Sequence, residues 1–143
     1  MSGRRRRGEI RFLSSVAIEA LQRELLAEHG GLEGVRDAGL LDSALARCRD
    51  RAGYDPAATL ADLAASLAFG LSRNHPFHDG NKRIALVASF AFAELNRLRI
   101  VATEREAYEA FMRLASAEWS EPEMAAWFRD RSKAGGRRSP GAQ

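Results

Sequence analysis

The sequence predicts an all-α fold, a compact helical bundle around a buried central helix. Three observations carry that expectation. Apolar residues recur at helical spacing across residues 14–28 and 60–73. Residues 84–94 run almost without interruption through apolar side chains, which places a helix in the centre of a fold. Two Ser/Thr-x-x-Glu capping boxes, Thr103 to Glu106 and Ser120 to Glu123, mark further helix starts near the C-terminal end.

The elements follow in order. In residues 14–28, Ile18, Leu21, Leu25 and Leu26 share a face, Ser14 or Ser15 caps the helix, and His29-Gly30-Gly31 stops it. After a loop, a short helix is expected at residues 40–48. Residues 60–73 give the cleanest amphipathic pattern, with Leu60, Leu63, Ala64, Leu67, Ala68 and Leu71 on one side. Thr59 can cap this helix, with Asp62 near its positive end. Pro76 ends it, because proline fits no helix interior and biases His75 away from helical angles. The apolar helix begins at residues 81–83, and two capped helices close the domain, the second with Pro122 in its first turn. Tyr108, Phe111, Met112, Trp119, Trp127 and Phe128 read as core packing. Only residues 10–13 and 100–102 look strand-like.

The chain has 143 residues, enough for one domain with a real core. The expected division is a domain at residues 10–132 between disordered basic tails at 1–9 and 133–143. The overall charge of +3 hides an asymmetry, since seven of the 22 basic residues lie in the tails. Residues 9–132 hold 15 basic against 19 acidic groups, a net −4. An acidic domain argues against stable nucleic-acid binding, although the arginines at 4–7 could touch an acidic partner weakly. The single cysteine, Cys48, excludes a disulfide framework and reads as a buried structural thiol. No stretch has the length of a membrane span, and the apolar segment after the arginine run is broken by Glu19 and Gln22. A cytoplasmic location without a membrane partner is the expectation.

The chemistry concentrates at residues 73–83, R-N-H-P-F-H-D-G-N-K-R. Residues 75–80 form a turn into a helix N-terminus, where free N–H groups and positive partial charge make an anion site. Gly80 lets the backbone bend and approach a ligand closely. Asn81 follows it, and Lys82 and Arg83 add full positive charge at the same helix start. Asp79 is the only carboxylate in the loop, and one carboxylate with phosphate oxygens and water is a usual Mg²⁺ arrangement. His75 suits a general base, because an imidazole ordinarily titrates near pH 6.5, about where a proton must be taken at neutral pH. Together these parts describe transfer of a phosphate-containing group to a hydroxyl. Each also has a plainer reading: a capping histidine, a solvated Lys-Arg pair, Asn81 as an N-cap, Phe77 as an apolar anchor. A zinc cluster built on His75, His78 and Asp79 is disfavoured, because Pro76 keeps them off one helix face and His29 and Cys48 are distant in sequence.

The stretch H-P-F-H-D-G-N-K-R resembles the signature of the Fic/Doc (Fido) superfamily, H-x-F-x-[D/E]-G-N-x-R. Lys82, where Fic proteins usually have Gly, looks like the death-on-curing (Doc) branch, as does Leu86, where Fic proteins usually have a second Arg. Residues 29–45 and 54–65 are also similar to the family's upstream segments, so the resemblance covers roughly residues 10–130. It implies the Fido fold and a toxin of a toxin–antitoxin module. Doc-like members transfer the γ-phosphate of ATP to a threonine of elongation factor Tu and arrest translation, whereas Fic members transfer AMP. By position, His75 matches the catalytic base, Asp79 the Mg²⁺-associated acid, and Gly80, Asn81, Lys82 and Arg83 the phosphate-binding nest. The resemblance also implies a catalytic part for Lys82 and Arg83. The inhibitory pattern [S/T]-x-x-x-E-[G/N] of many Fic proteins is approached at Ser15 to Glu19 but departs at Ala20. Inhibition by a separate antitoxin, whose C-terminal segment binds near the site, is therefore expected. The runner-up among enzymes is a Fic-type protein adenylyltransferase, and a non-catalytic protein that only binds nucleotide or antitoxin is the alternative from another class.

Overall fold

The computed structural model describes residues 10–134. Its elements are α1 (Ser15–His29), α2 (Ala38–Tyr54), α3 (Leu60–Asn74), α4 (Asn81–Leu95), β1 (Leu98–Ile100), α5 (Glu104–Ala115), α6 (Glu121–Asp130) and β2 (Ser132–Ala134). The fold is all-α apart from one small antiparallel pair, β1 with β2, in which Arg99 faces Lys133. No helix among the described residues is long and apolar enough to cross a membrane.

Local chemistry explains the helix starts. Ser14 caps α1, its hydroxyl accepting from the Ala17 N–H at 3.1 Å. Thr59 and Asp62 close a capping box on α3, and Thr103 and Glu106 close another on α5. Glu123 accepts from the Ser120 N–H at 2.7 Å at the start of α6. Such caps stabilise a helix by about 1 kcal/mol each.

The core lies between α3 and its neighbours α2, α4 and α6. The most enclosed element is α3, which buries Leu63, Leu67 and Leu71 along a face closed by alanines. The central helix is thus α3 and not, as its apolar run suggests, α4, which buries Ile84, Ala88 and Phe92 on one face and leaves Leu86, Val87 and Phe90 half-buried. Phe90, Phe111, Trp127 and Phe128 interlock α4, α5 and α6, with ring centroids 5.4 Å apart for Trp127 and Phe128 and 6.3 Å for Phe90 and Phe111. Cys48 is buried in the core, and burial pushes its thiol pKa up to about 12.

Several expectations are corrected. Residues 10–13 form no strand. The Asn96 side chain instead binds both backbone groups of Arg11, at 2.8 and 2.9 Å, as a neighbouring strand would. The second strand-like piece is shifted, forming at Leu98–Ile100 rather than at residues 100–102. The helix expected at residues 40–48 runs from Ala38 to Tyr54, because the Asp37 carboxylate caps it earlier by accepting from the Leu40 N–H at 3.0 Å. Tyr108 and Met112 are not core residues; they are 52% and 37% exposed. The buried stripe of α5 is Ala107, Ala110, Phe111 and Leu114, which leaves those two on the solvent side. Ser132–Ala134 forms β2, so the strand runs two residues into the stretch assigned to the C-terminal tail. The arginines at 4–7 and the disorder expected of both tails otherwise lie outside the described residues.

Candidate active site

The loop of residues 75–80 joins α3 to α4 and is held from three directions. His75 takes the C-cap position of α3 at φ 49° and ψ 57°, the left-handed region. That conformation costs a non-glycine residue about 1–2 kcal/mol, so other bonds must hold it. Arg36 supplies them. Its Nε and Nη2 donate to the His75 carbonyl at 2.9 and 2.6 Å, and Nη2 also reaches the Asn74 carbonyl at 3.0 Å. The backbone beside Arg36 pairs with the loop. Val35 bridges Phe77, the Arg36 N–H donates to the Pro76 carbonyl at 2.7 Å, and the His78 N–H donates to the Gly34 carbonyl at 3.2 Å. Phe77 is buried and anchors the turn, as expected of an apolar anchor.

Asn81 is not the N-cap. Its amide clamps Phe77, with Oδ1 accepting from the Phe77 N–H and Nδ2 donating to the Phe77 carbonyl, both at 2.9 Å. Gly80 takes the cap position instead, at φ 77° and ψ 17°. A left-handed residue followed by helical ones turns successive N–H groups into one concavity that suits an anion. The helix dipole adds positive potential at the same point.

Asp79 lies before this concavity. Its Oδ2 accepts from the Leu32 N–H at 2.7 Å, and its backbone carbonyl accepts from Gln22 Nε2. The approach of the Leu32 loop is close. A Cβ on Gly31, at φ 126°, would stand 2.9 Å from Leu26 and 3.3 Å from the Asp79 Cβ. A cleft of about 330 Å³ opens here, with His29, Gly31, Asp79, Gly80 and Arg83 in its lining. His75 and Lys82 are exposed at the two ends of the loop and do not line this cleft. Among the described residues Lys82 and Arg83 enter no ion pair, and no three His, Cys, Asp or Glu side chains come together to hold a metal. A glycine cradle, two unanswered cations and one carboxylate suit a phosphate group carrying its own divalent cation, with Asp79 as the protein's ligand to it.

The loop residues singled out in the sequence are thus consecutive parts of one turn. Sequence reading missed His29, which α1 brings to the cleft wall, and Arg36, which nothing in the sequence marks. It also missed Gln22, which is buried although it interrupts an apolar face. That interruption was the available signal.

A sequence profile of the Fic/DOC family matches residues 12–93. The chain belongs to the Fic/DOC family. The matched span holds α1 to α4 almost entirely and with them every part of the loop just described. Among family members, Toxin Doc of Mycolicibacterium smegmatis (strain ATCC 700084 / mc(2)155) is 45% identical over 74 residues, which cover 51% of this chain and 57% of that protein. Protein kinase doc of Escherichia phage P1 is 29% identical over 91 residues, covering 64% of this chain and 72% of that protein. The chain therefore spans a little over half the length of the first relative and nearly three quarters of the second.

Proposed function

We propose that this protein is a Doc-type toxin that transfers the γ-phosphate of ATP to a threonine hydroxyl of a protein target, elongation factor Tu. A small antitoxin neutralises it by binding near the loop. The observation that carries the reading is the turn itself. A left-handed Gly80 opens α4 beside the unpaired Lys82 and Arg83, and an exposed His75 is held in a strained conformation at the turn's other end. The names of the two relatives, a toxin and a protein kinase, support it.

The roles follow from the chemistry. The N–H groups at the start of α4 and the Arg83 guanidinium bind phosphate oxygens and neutralise charge that builds during transfer. Mg²⁺, held by Asp79 and the phosphates, supplies further charge neutralisation when bound. His75 takes the proton of the target hydroxyl. The hydroxyl oxygen bonds to the γ-phosphorus, the bond from that phosphorus to the bridging oxygen breaks, and ADP leaves. Lys82 fills space that an α-phosphate would occupy in the Fic orientation and so favours presentation of the γ-phosphate.

The test uses the purified chain, Mg²⁺ and bacterial lysate with ATP labelled at the α or the γ phosphate, beside His75→Ala. The expected result is one protein band near elongation factor Tu, labelled from γ only and lost by at least about 100-fold in His75→Ala. Label from the α phosphate would make the protein an AMP transferase. No His75-dependent label would leave a nucleotide- or antitoxin-binding protein without this chemistry. Lys82→Gly transferring the same group at the same rate would remove the role given to Lys82.

A further inference from the structure

Gln22 is a polar residue inside the apolar face of α1, 2% exposed, with buried Ile18 and Leu26 one turn away on either side. Its Nε2 donates to the Asp79 carbonyl. Its Oε1 is buried and has no hydrogen-bond partner among the described residues. An unanswered buried acceptor weakens a fold. A leucine here would complete the α1 face and leave nothing orphaned on α1. The amide is therefore a poor device for stability, and its one bond lands on the peptide that opens the phosphate cradle.

That bond has a geometric effect. The chain has no cis peptide among the described residues, and in a planar trans peptide the C=O and N–H point in opposite directions. Holding the Asp79 carbonyl against Gln22 turns the Gly80 N–H away from the Gln22 amide. Gly80 itself lines the cleft that Arg83 shares, while Gln22 does not. Glycine rotates easily between backbone regions, so an unheld Asp79–Gly80 peptide can turn over. A turned peptide would offer a carbonyl oxygen to a phosphate, an acceptor where a donor is needed. Gly80 also sits tightly on the amide, since a Cβ there would be 3.2 Å from Nε2.

We propose that Gln22 is a positioning residue of the phosphate loop: its side-chain amide fixes the Asp79–Gly80 peptide plane and so aims the Gly80 N–H at a phosphate oxygen of the donor. This rests on the phosphate-site reading given above. Gln22 touches no substrate; it acts through the backbone of its neighbour.

The experiment follows backbone amide signals of the ¹⁵N-labelled full chain as inorganic tripolyphosphate is added, in wild type and in Gln22→Met, which keeps length and loses the N–H donor. The expected result is a Gly80 amide that moves on binding in wild type and moves much less in Gln22→Met. The dissociation constant should rise about tenfold, near what loss of one hydrogen bond to a charged group gives. The melting temperature should stay near the wild-type value, since the orphaned Oε1 is lost together with the donor to the Asp79 carbonyl; a large fall with Gly80 movement and affinity unchanged would mark Gln22 as merely structural. Equal Gly80 movement and equal affinity in both chains would overturn the proposal and leave the phosphate site standing. So would binding in wild type that moves other loop amides but not Gly80. No binding in wild type would overturn both readings. Should Gln22→Met not fold, the scalar coupling across the hydrogen bond from Gln22 Nε2 to the Asp79 carbonyl carbon decides the matter in wild type. Coupling kept at saturating tripolyphosphate supports the proposal, and coupling lost on binding overturns it.

Discussion

Two groups of cations on this domain are built in opposite ways. Where α2, α3 and α6 meet, the protein answers its own charges. Arg47 and Arg51 reach the two oxygens of Glu121 at 2.6 and 3.1 Å, Ser66 donates to the same carboxylate, and Arg51 extends to Asp55 at 3.4 Å. All of these partners but Asp55, which takes the C-cap position of α2, sit on regular helices. At the start of α4, Lys82 and Arg83 are exposed and unpaired among the described residues, next to a backbone bent through the left-handed region at His75 and Gly80. The first arrangement closes on itself and holds three helices together. The second leaves its two cations without an ion-pair partner among the described residues, as the proposed phosphate site requires. Charge alone does not tell them apart; what separates them is whether the fold supplies the counter-ion.

Three substitutions test that contrast, in descending order of expected effect. Gly80→Ala keeps its N–H but strains the backbone that aims it, and should reduce the proposed γ-phosphate transfer by about 100-fold, of the order expected when one oxyanion donor is lost. It forces φ 77° on a residue with a Cβ and crowds Gln22, so denaturation should also show a loss of about 1–2 kcal/mol. Undiminished transfer in a folded Gly80→Ala would mean that the backbone cradle is not the phosphate site. Glu121→Ala should do the reverse. It strips Arg47 and Arg51 of their shared partner and should cost about 1–3 kcal/mol in urea unfolding, with transfer per folded molecule unchanged. A transfer defect without a stability defect would erase the division between the two clusters. Thr103→Ala, remote from both, sets the baseline. Losing its cap on α5 should cost about 1 kcal/mol and leave transfer alone. The partner in that box, Glu106, has its pKa held below the usual range by the Thr103 backbone N–H and by Arg131. Its stabilisation is therefore present at neutral pH and fades as acid takes the pH down through the lowered value.

Much of this was legible in the sequence because it is written locally. The α3 helix, its Thr59 cap and its stop before Pro76 follow from short-range rules, as do the capped starts of α5 and α6. The loop residues were legible because they are neighbours in the chain. What escaped depends on groups far apart. Asn96 binds the backbone of Arg11 from 85 positions away, and no periodicity announces a side chain doing the work of a strand. Arg36 grips His75 from 39 positions away. Gln22 looked like a break in an apolar face, which it is, but the face is closed over it by the turn it supports. Residue type alone puts Tyr108 and Met112 inside, whereas the α5 stripe is satisfied by alanines, Phe111 and Leu114.

The loop's dependence on distant residues has a consequence for when the turn takes shape. The groups that shape Asp79 come from 57 and 47 positions earlier, through Gln22 and Leu32. Contacts of such long sequence separation form only when much of a domain has condensed. A chain emerging from the ribosome holds the whole motif long before it holds the turn. Synthesis of the motif and arming of the motif are thus separate events, and a molecule caught half-folded carries every reactive side chain without the geometry to use them.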